Sequence, residues 1–396
     1  MKVKQAPSDF IVREVSDFAP TKEGMHSVYR LNKTSVGTLE AINLILQLWN
    51  IRRPLLSTGA LKDRHAQTEQ LISIYRGPNR DLQHHSINLK YLGQSETPIR
   101  PDSLSANQFT ITLRDLSRAD TEKIAERIGE INQYGVSNYF DEQRFGSVRG
   151  GNEFPAKLLI KRDYEGALKI ALTATSKQDR SIVKQTRMSI AENWGNWKKC
   201  FDALGRSPER SIINYLVMHP FNFRQAFELM NPNLVLLYLH SYQSYIWNKG
   251  LSILLLKRLN GENKKSKNII RSPYLLGDFV FYQSLNEDVL KELKELSIPF
   301  MTHKTFFPNP ELAGIFSGIL QEEGIAQNDF RTHGMEKTYF RRGERKATIF
   351  PEGLAMKKAE KDELAKSKKL KVTLEFQLPR GAYATMIIKR LSYDFE

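Results

Sequence analysis

Cysteine is almost missing from this chain: Cys200 is the only one in 396 residues. A single thiol excludes disulfide frameworks and cysteine-built zinc or iron–sulfur sites, and it suits a reducing compartment. Long apolar runs are missing too, so no membrane-spanning helix is expected. The opening MKVKQAPSDF carries charge and no apolar core of a signal peptide, so a cytoplasmic protein is expected. There is no G-x-S-x-G elbow, no P-loop and no dinucleotide-type glycine loop. His84 and His85 are adjacent and lack further ligands at metal spacing. Neither a metal nor an organic cofactor is expected. Acidic residues are in deficit, with 44 Asp and Glu against 59 Lys and Arg, a net charge of +15. That balance favours a polyanionic partner, nucleic acid ahead of membrane.

What is present reads as a globular α+β chain long enough for two domains, or for one domain with a large insertion. Residues 10–32 read as extended, through Phe10, Val12, Val15 and His26 to Leu31. A helix from about Val36 to Trp49 follows, with Leu39, Ile42, Ile45, Leu46 and Trp49 on one face and Thr34 or Ser35 as its cap. Phe109 to Leu113 alternates as a strand, and a second helix spans about Thr121 to Ile131. Beyond residue 155 the segments become longer and helical. Ser207-Pro208 has the form of a helix start, and one long helix runs from about Leu234 to Leu259 before Asn260-Gly261. Glu262 to Lys267 reads as a mobile loop. Strand alternation returns at Val372, Leu374, Phe376 and Leu378. The boundaries expected are 1–154 and 343–396 for a split β-rich domain, and 155–342 for a mostly helical insertion.

Candidate chemistry is concentrated in a few places. Gly59 to Gln70, GALKDRHAQTEQ, sets Asp63 between Lys62 and Arg64 in a loop between apolar runs. An isolated triplet of this kind is usually a solvated turn with weak surface pairs. From Arg341 to Lys371, eleven Lys and Arg stand against five Asp and Glu. Such a run is either a solvated helical face or a track for phosphates, which would make binding sensitive to salt. Tyr139-Phe140 precede Arg144-Phe145, and Tyr339-Phe340 precede Arg341-Arg342; exposed, such sets would stack extruded bases. Tyr238, Tyr242, Tyr245 and Lys249, at helical spacing, read first as a core seam.

Four stretches taken together sharpen this reading: KQAPSDFIVRE (Lys4–Glu14), KDRHAQTEQ (Lys62–Gln70), NYFDEQRFG (Asn138–Gly146) and FQLPRGAYAT (Phe376–Thr385). In order and separation they resemble the TruD family of tRNA pseudouridine synthases. Ser241–Ser252, SYQSYIWNKGLS, is similar to part of that family's insertion domain. The resemblance covers nearly the whole chain. It implies a pseudouridine-synthase-type catalytic domain, with a mixed or antiparallel sheet and helices, interrupted by the family's own insertion domain. It also implies an isomerase that converts uridine to pseudouridine in tRNA, usually at position 13, with no metal or cofactor; a monomer is expected. The family's nucleophilic aspartate falls on Asp63. Its base-contacting residues fall on Phe10, Asn138, Phe140 and Tyr383, and Lys4 takes the place of a basic residue beside the carboxylate.

The chemistry agrees with this mapping. Breaking C1′–N1, turning the base and rejoining it through C5 needs a group to hold one fragment, which splits a hard step into two. Whether the carboxylate attacks C1′ or acts otherwise on the nucleotide, it must be ionised, and Lys4, Lys62 or Arg64 would favour that form. The base must leave its stack, and aromatic faces offset that cost. Asn138 is expected to bond a uracil edge or to order its loop. The chain departs from the family pattern at three places. Ala60 replaces a glycine, with Gly59 one position earlier. Asp141 replaces a glycine and is expected to bend outward or pair with Arg144. Ile388-Lys389-Arg390 inverts a usual charge, which predicts a missing ion pair. Two other readings stay open: the same reaction on another RNA, and a non-catalytic RNA-binding or RNA-folding protein on this scaffold.

Overall fold

The computed structural model describes all residues except 147, 149–152, 177–178, 261–267, 332–338, 367 and 396. The loop expected at Glu262–Lys267 therefore lies outside the described residues. The chain forms two compact units, one of Met1–Val136 with Ile349–Glu396 and the other of Ser137–Thr348. The described residues of 137–154 and 343–348, assigned on sequence grounds to the split domain, fall within the second unit.

The first unit is built on an eleven-stranded mixed sheet. Its centre runs from Leu370–Pro379 to Ala106–Leu116, Phe10–Val15, Gln67–Tyr75, His26–Thr34 and Ile87–Ser95. Phe10–Val15 and Gln67–Tyr75 pair in parallel, whereas the other central pairings are antiparallel. The helix Thr38–Trp49 covers one part of the sheet because Ile42 and Ile45 recur on its inner face. They pack with Tyr29, Leu31, Ile72, Ile74 and Leu89, all fully buried or nearly so. Each such aliphatic side chain contributes about 1.5–3 kcal/mol on burial. The helix starts later than the periodicity suggests: its cap is Gly37, whose N–H donates to Glu40 Oε2 at 3.0 Å. An acidic side chain in the first turn thus does the work expected of Thr34 or Ser35.

The second helix is longer than its apolar spacing, Arg118–Tyr134, because Ser117 and Asp120 form a reciprocal cap. It carries Glu130, which pairs with the buried Arg390 of the helix Ala384–Leu391. At the inverted charge, Arg390 thus makes an ion pair of its own with a residue of a distant helix. The basic run after Arg341 is not a helical face. Within the first unit it forms the strands Glu352–Met356 and Glu360–Lys361, and several of its cations are paired. Lys357 meets Glu375 at 2.7 Å and Lys371 meets Glu363 at 2.9 Å.

The second unit is mostly helical, around the long helix Pro232–Asn260. Tyr238, Tyr242, Ile246, Trp247 and Leu254 are buried, so the tyrosine series is a core seam. The Tyr242 and Tyr245 hydroxyls donate to Glu323 at 3.2 and 3.0 Å. Ser207 supplies no cap to the helix Glu209–Met218, which begins directly after Pro208. Of the aromatics beside cations, Tyr139, Phe140, Phe145 and Phe340 are buried, and only Tyr339 is largely exposed. Their burial makes them core, not a stacking platform. No helix among the described residues is long and apolar enough to cross a membrane.

Gly250 of the long helix closely approaches Phe316 of the helix Pro310–Glu323. A Cβ there would lie 2.5 Å from Cζ of the buried Phe316. Gly250→Ala should gain about 1 kcal/mol of helix propensity yet lose about 1–3 kcal/mol to overpacking. A lowered midpoint in urea unfolding is the expected result.

Candidate active site

Asp63 sits in an irregular loop between the strands Leu56–Thr58 and Gln67–Tyr75. Its side chain is 40% exposed, and its Oδ2 lies 2.5 Å from Lys4 Nζ. Two residues far apart in sequence therefore form one charged centre, and each is held by a different part of the unit.

Lys4 is delivered by the first residues of the chain. Lys2 and Val3 pair with Arg114 and Leu113, extending the row beyond Phe10. Lys4 itself takes a left-handed backbone, φ 58°, unusual for a residue with a side chain. The turn after it is closed by Asp9, whose Oδ2 accepts from the N–H of Ala6 at 2.7 Å. Asp9 is buried and accepts from Arg114 Nε at 2.9 Å and 3.0 Å. Arg114 also donates to Asp362 at 2.8 Å. The bonds to Asp9 and Asp362 raise the pKa of the Arg114 guanidinium; against the opposing effect of burial, Asp362 is held below the usual carboxylate range by the N–H groups of Asp115 and Leu364 and by Arg114. A buried ion pair completed on both sides holds its geometry, whereas removing one partner strands a charge.

Phe10 is also buried, packed edge-on against Phe109 with centroids 6.2 Å apart. Lys4 Nζ lies 4.0 Å from the centre of its ring. The ring therefore supports the lysine through a cation–π contact.

The cations beside Asp63 in sequence turn elsewhere. Lys62 Nζ is buried between Glu14 Oε1, at 3.1 Å, and Asn107 Oδ1, at 2.5 Å. Glu14 is pushed up in pKa by burial, and the facing Lys62 opposes that shift. Arg64 pairs with Glu40. Of the three cations expected to accompany the carboxylate, only Lys4 contacts it. The neighbouring side chains are drawn to different partners, Lys62 to Glu14 and Asn107 and Arg64 to Glu40.

The loop is fixed mainly through its backbone. The N–H of Lys62 donates to Thr38 Oγ1 at 2.8 Å, and Thr38 donates to Gln70 Oε1 at 3.0 Å. Gln70 Nε2 in turn donates to Thr58 Oγ1 at 2.9 Å and to the Ala60 carbonyl at 3.1 Å. Lys33 Nζ donates to the carbonyl of Asp63 itself at 2.7 Å. At Gly59 a Cβ would come 2.6 Å from Leu104 Cδ1 and 3.1 Å from the Arg100 carbonyl, so the glycine one position early answers a close approach. Glu14, Lys33, Thr38, Gln70 and Asn107 were not singled out from sequence. One signal was available for Lys33: Tyr29, Leu31 and Lys33 alternate on the buried face of one strand.

Tyr383 is half-buried and precedes the helix Ala384–Leu391 as its cap residue. The strand leading to it pairs Pro379 with Ala106, next to the Asn107 that receives Lys62. Asn138 and Phe140 belong to the second unit. The Asn138 amide is used at both ends: Nδ2 donates to the Lys346 carbonyl at 2.9 Å, and Oδ1 accepts from Arg345 at 2.5 Å. Phe140 is bonded through its backbone to the amide of Asn248, at 2.9 Å each way. The Arg345 guanidinium lies 4.4 Å from the centre of its ring. Asp141 does not bend outward: it is buried, and its carbonyl accepts from the N–H of Arg144 at 2.8 Å. Among the described residues, no group of three or more His, Cys, Asp or Glu comes together as metal ligands would.

Comparison with known proteins covers almost the same span as these contacts. The family model for tRNA pseudouridine synthase D (TruD) matches residues 1–391. A probable tRNA pseudouridine synthase D 1 of Methanococcus maripaludis is 33% identical over 397 residues, covering 99% of each chain. A probable tRNA pseudouridine synthase D 2 of Methanocaldococcus jannaschii is 34% identical over 401 residues, covering 98% of this chain and 91% of the relative. The crystal structure of the putative tRNA pseudouridine synthase D of Methanosarcina mazei superposes with a TM-score of 0.72 at 25% identity. That match covers 98% of this chain and 93% of the other. With nearly the whole length matched in sequence and in fold, the chain belongs to the tRNA pseudouridine synthase D (TruD) family.

Proposed function

We propose that this chain isomerises uridine to pseudouridine in tRNA, at position 13 as the family resemblance implies, with Asp63 as the nucleophile. In this reading it works in the cytoplasm as a monomer, without metal or cofactor. The unit Met1–Val136 with Ile349–Glu396 is the catalytic domain and Ser137–Thr348 the inserted one. The observation that carries the proposal is the half-exposed Asp63 carboxylate, 2.5 Å from Lys4 Nζ on a loop tied down through its backbone.

The reaction needs no redox partner. The C1′–N1 bond breaks, the base turns, a C1′–C5 bond forms, and the proton leaves C5 while N1 gains one. Asp63 holds one fragment between the two bond changes, so neither half of the reaction must pass through a free, solvated intermediate. Lys4 orients the carboxylate and offsets its repulsion of RNA phosphates. Tyr383 offers aromatic surface to the displaced base, and the buried Phe10 ring supports Lys4. Within the second unit, Arg345 orders Asn138 and the Phe140 ring. The surplus of positive charge draws the RNA in without choosing a sequence.

Asp63→Asn keeps size and removes the anion. Folding and RNA binding should survive, while tritium release from C5-labelled uridine in unmodified tRNA should fall by more than roughly ten-thousand-fold. Full release by this variant would contradict the assignment, and an inactive wild-type enzyme on total unmodified tRNA would favour a non-catalytic RNA binder.

Tyr383→Phe should keep most activity, whereas Tyr383→Ala should lose about 1–3 kcal/mol of stacking. Turnover of Tyr383→Ala at the wild-type single-turnover rate would make this ring purely structural.

A further inference from the structure

Lys33 is a lysine in a place built for apolar side chains. It follows Tyr29 and Leu31 on the buried face of the strand His26–Thr34, and it is only 2% exposed. Its ladder partners are Thr68 on one side and Ile87 on the other, neither of them charged. An unpaired ammonium in such a place is costly unless its protons are used. Here they are used on the backbone: Nζ donates to the carbonyls of Asp63 at 2.7 Å, Val36 at 2.8 Å and Lys62 at 3.4 Å. One of these carbonyls belongs to the peptide that joins Lys62 to Asp63 and one to the peptide after it, and the third stands just before the helix Thr38–Trp49. Three protons on one nitrogen match three acceptors, which neither an arginine fork nor a hydroxyl could supply in the same way.

We propose that Lys33 is a positioning residue for the reaction: its ammonium clamps the backbone of the Asp63 loop, and turnover fails when that ammonium loses its proton. The proposal rests on the reading of Asp63 as nucleophile. The charged groups that face Lys33 are Asp63 and Lys62 on the loop and Glu40 in the first turn of the helix; the strands at either side bring none. Burial lowers the Lys33 pKa to about 8, with Asp63 and Glu40 opposing the shift and Lys62 adding to it. A neutral amine has two protons for three carbonyls, so above this pH the loop loses one of its ties while the fold keeps its core.

The sign of the linkage separates this role from a structural one. The pKa of Lys33 is lower in the folded state than in the unfolded chain, where it is about 10.4. Between these values the unfolded chain binds the proton and the fold does not, so the contribution of Lys33 to stability rises as pH rises from about 8. Activity should move the other way.

The test is the single-turnover rate of tritium release from unmodified tRNA between pH 6 and 10, with RNA affinity measured at each pH. Wild-type enzyme should show a plateau and an alkaline limb with its midpoint near pH 8. Lys33→Met should lower the plateau roughly hundred-fold, the scale of a misplaced reactive group, and abolish that limb while RNA affinity holds. Lys33→Arg keeps its charge throughout the range, so any activity it retains should show no limb near pH 8. A flat wild-type profile, or a limb near pH 8 that survives in either variant, would overturn the proposal even if Lys33→Met does not fold. Asp63→Asn run alongside separates the two claims. Full release by that variant defeats the nucleophile assignment, whereas its inactivity beside an unmoved Lys33 profile defeats this inference alone.

Discussion

The contact between Lys4 Nζ and Asp63 Oδ2, at 2.5 Å, is the constraint around which the first unit is arranged. It joins an N-terminal turn to a loop nearly sixty residues later, and neither partner is rigid by itself. Lys4 is placed by an unusual backbone conformation closed by Asp9, and Asp9 is held by Arg114 in the middle of the sheet. Asp63 is placed by carbonyl and amide contacts from Lys33 and Thr38. Half-exposed ion pairs contribute little stability. This one gains its value from the buried groups behind it, which fix where its two charges meet.

Several buried charges in this molecule are matched by more than one partner. Arg114 meets Asp9 and Asp362, Lys62 meets Glu14 and Asn107, and in the second unit Glu323 meets Lys157 and two tyrosines. Such sets are poor sources of net stability compared with apolar packing, yet breaking one partner is expensive. They suit positions that must be held in a single arrangement. Arg345 follows the same logic: it bonds Asn138 and the Tyr139 carbonyl and covers the Phe140 ring, so the NYF segment is ordered from one guanidinium.

The residues that meet at the candidate site were more legible in the sequence than their wiring. The helix after Ser35, the alternating strand through Phe109 and the long helix near residue 240 were legible because hydrophobic period is a local property. The cap Gly37 was not, since it works through Glu40 three residues later. Asp63 and Lys4 were legible through motifs. That Lys62 and Arg64 leave Asp63 for Glu14 and Glu40 was hidden, because the destination of a side chain in an irregular loop depends on contacts distant in sequence. The same holds for Arg390, whose ion-pair partner Glu130 lies in another helix. Lys33 was visible in the strand's alternation, but a lysine among apolar neighbours reads as an exposed edge until its carbonyl partners are known.

The claim that Asp63 forms the covalent link to the nucleotide is open to direct chemical observation. A single-turnover reaction with unmodified tRNA, quenched in acid while the base is detached, should trap the nucleotide attached to the enzyme. Peptide mapping of the complex by mass spectrometry should place the nucleotide mass on the peptide containing Lys62, Asp63 and Arg64, with fragmentation assigning it to Asp63. An adduct mapped to any other residue, formed with Asp63 unmodified, would contradict the account.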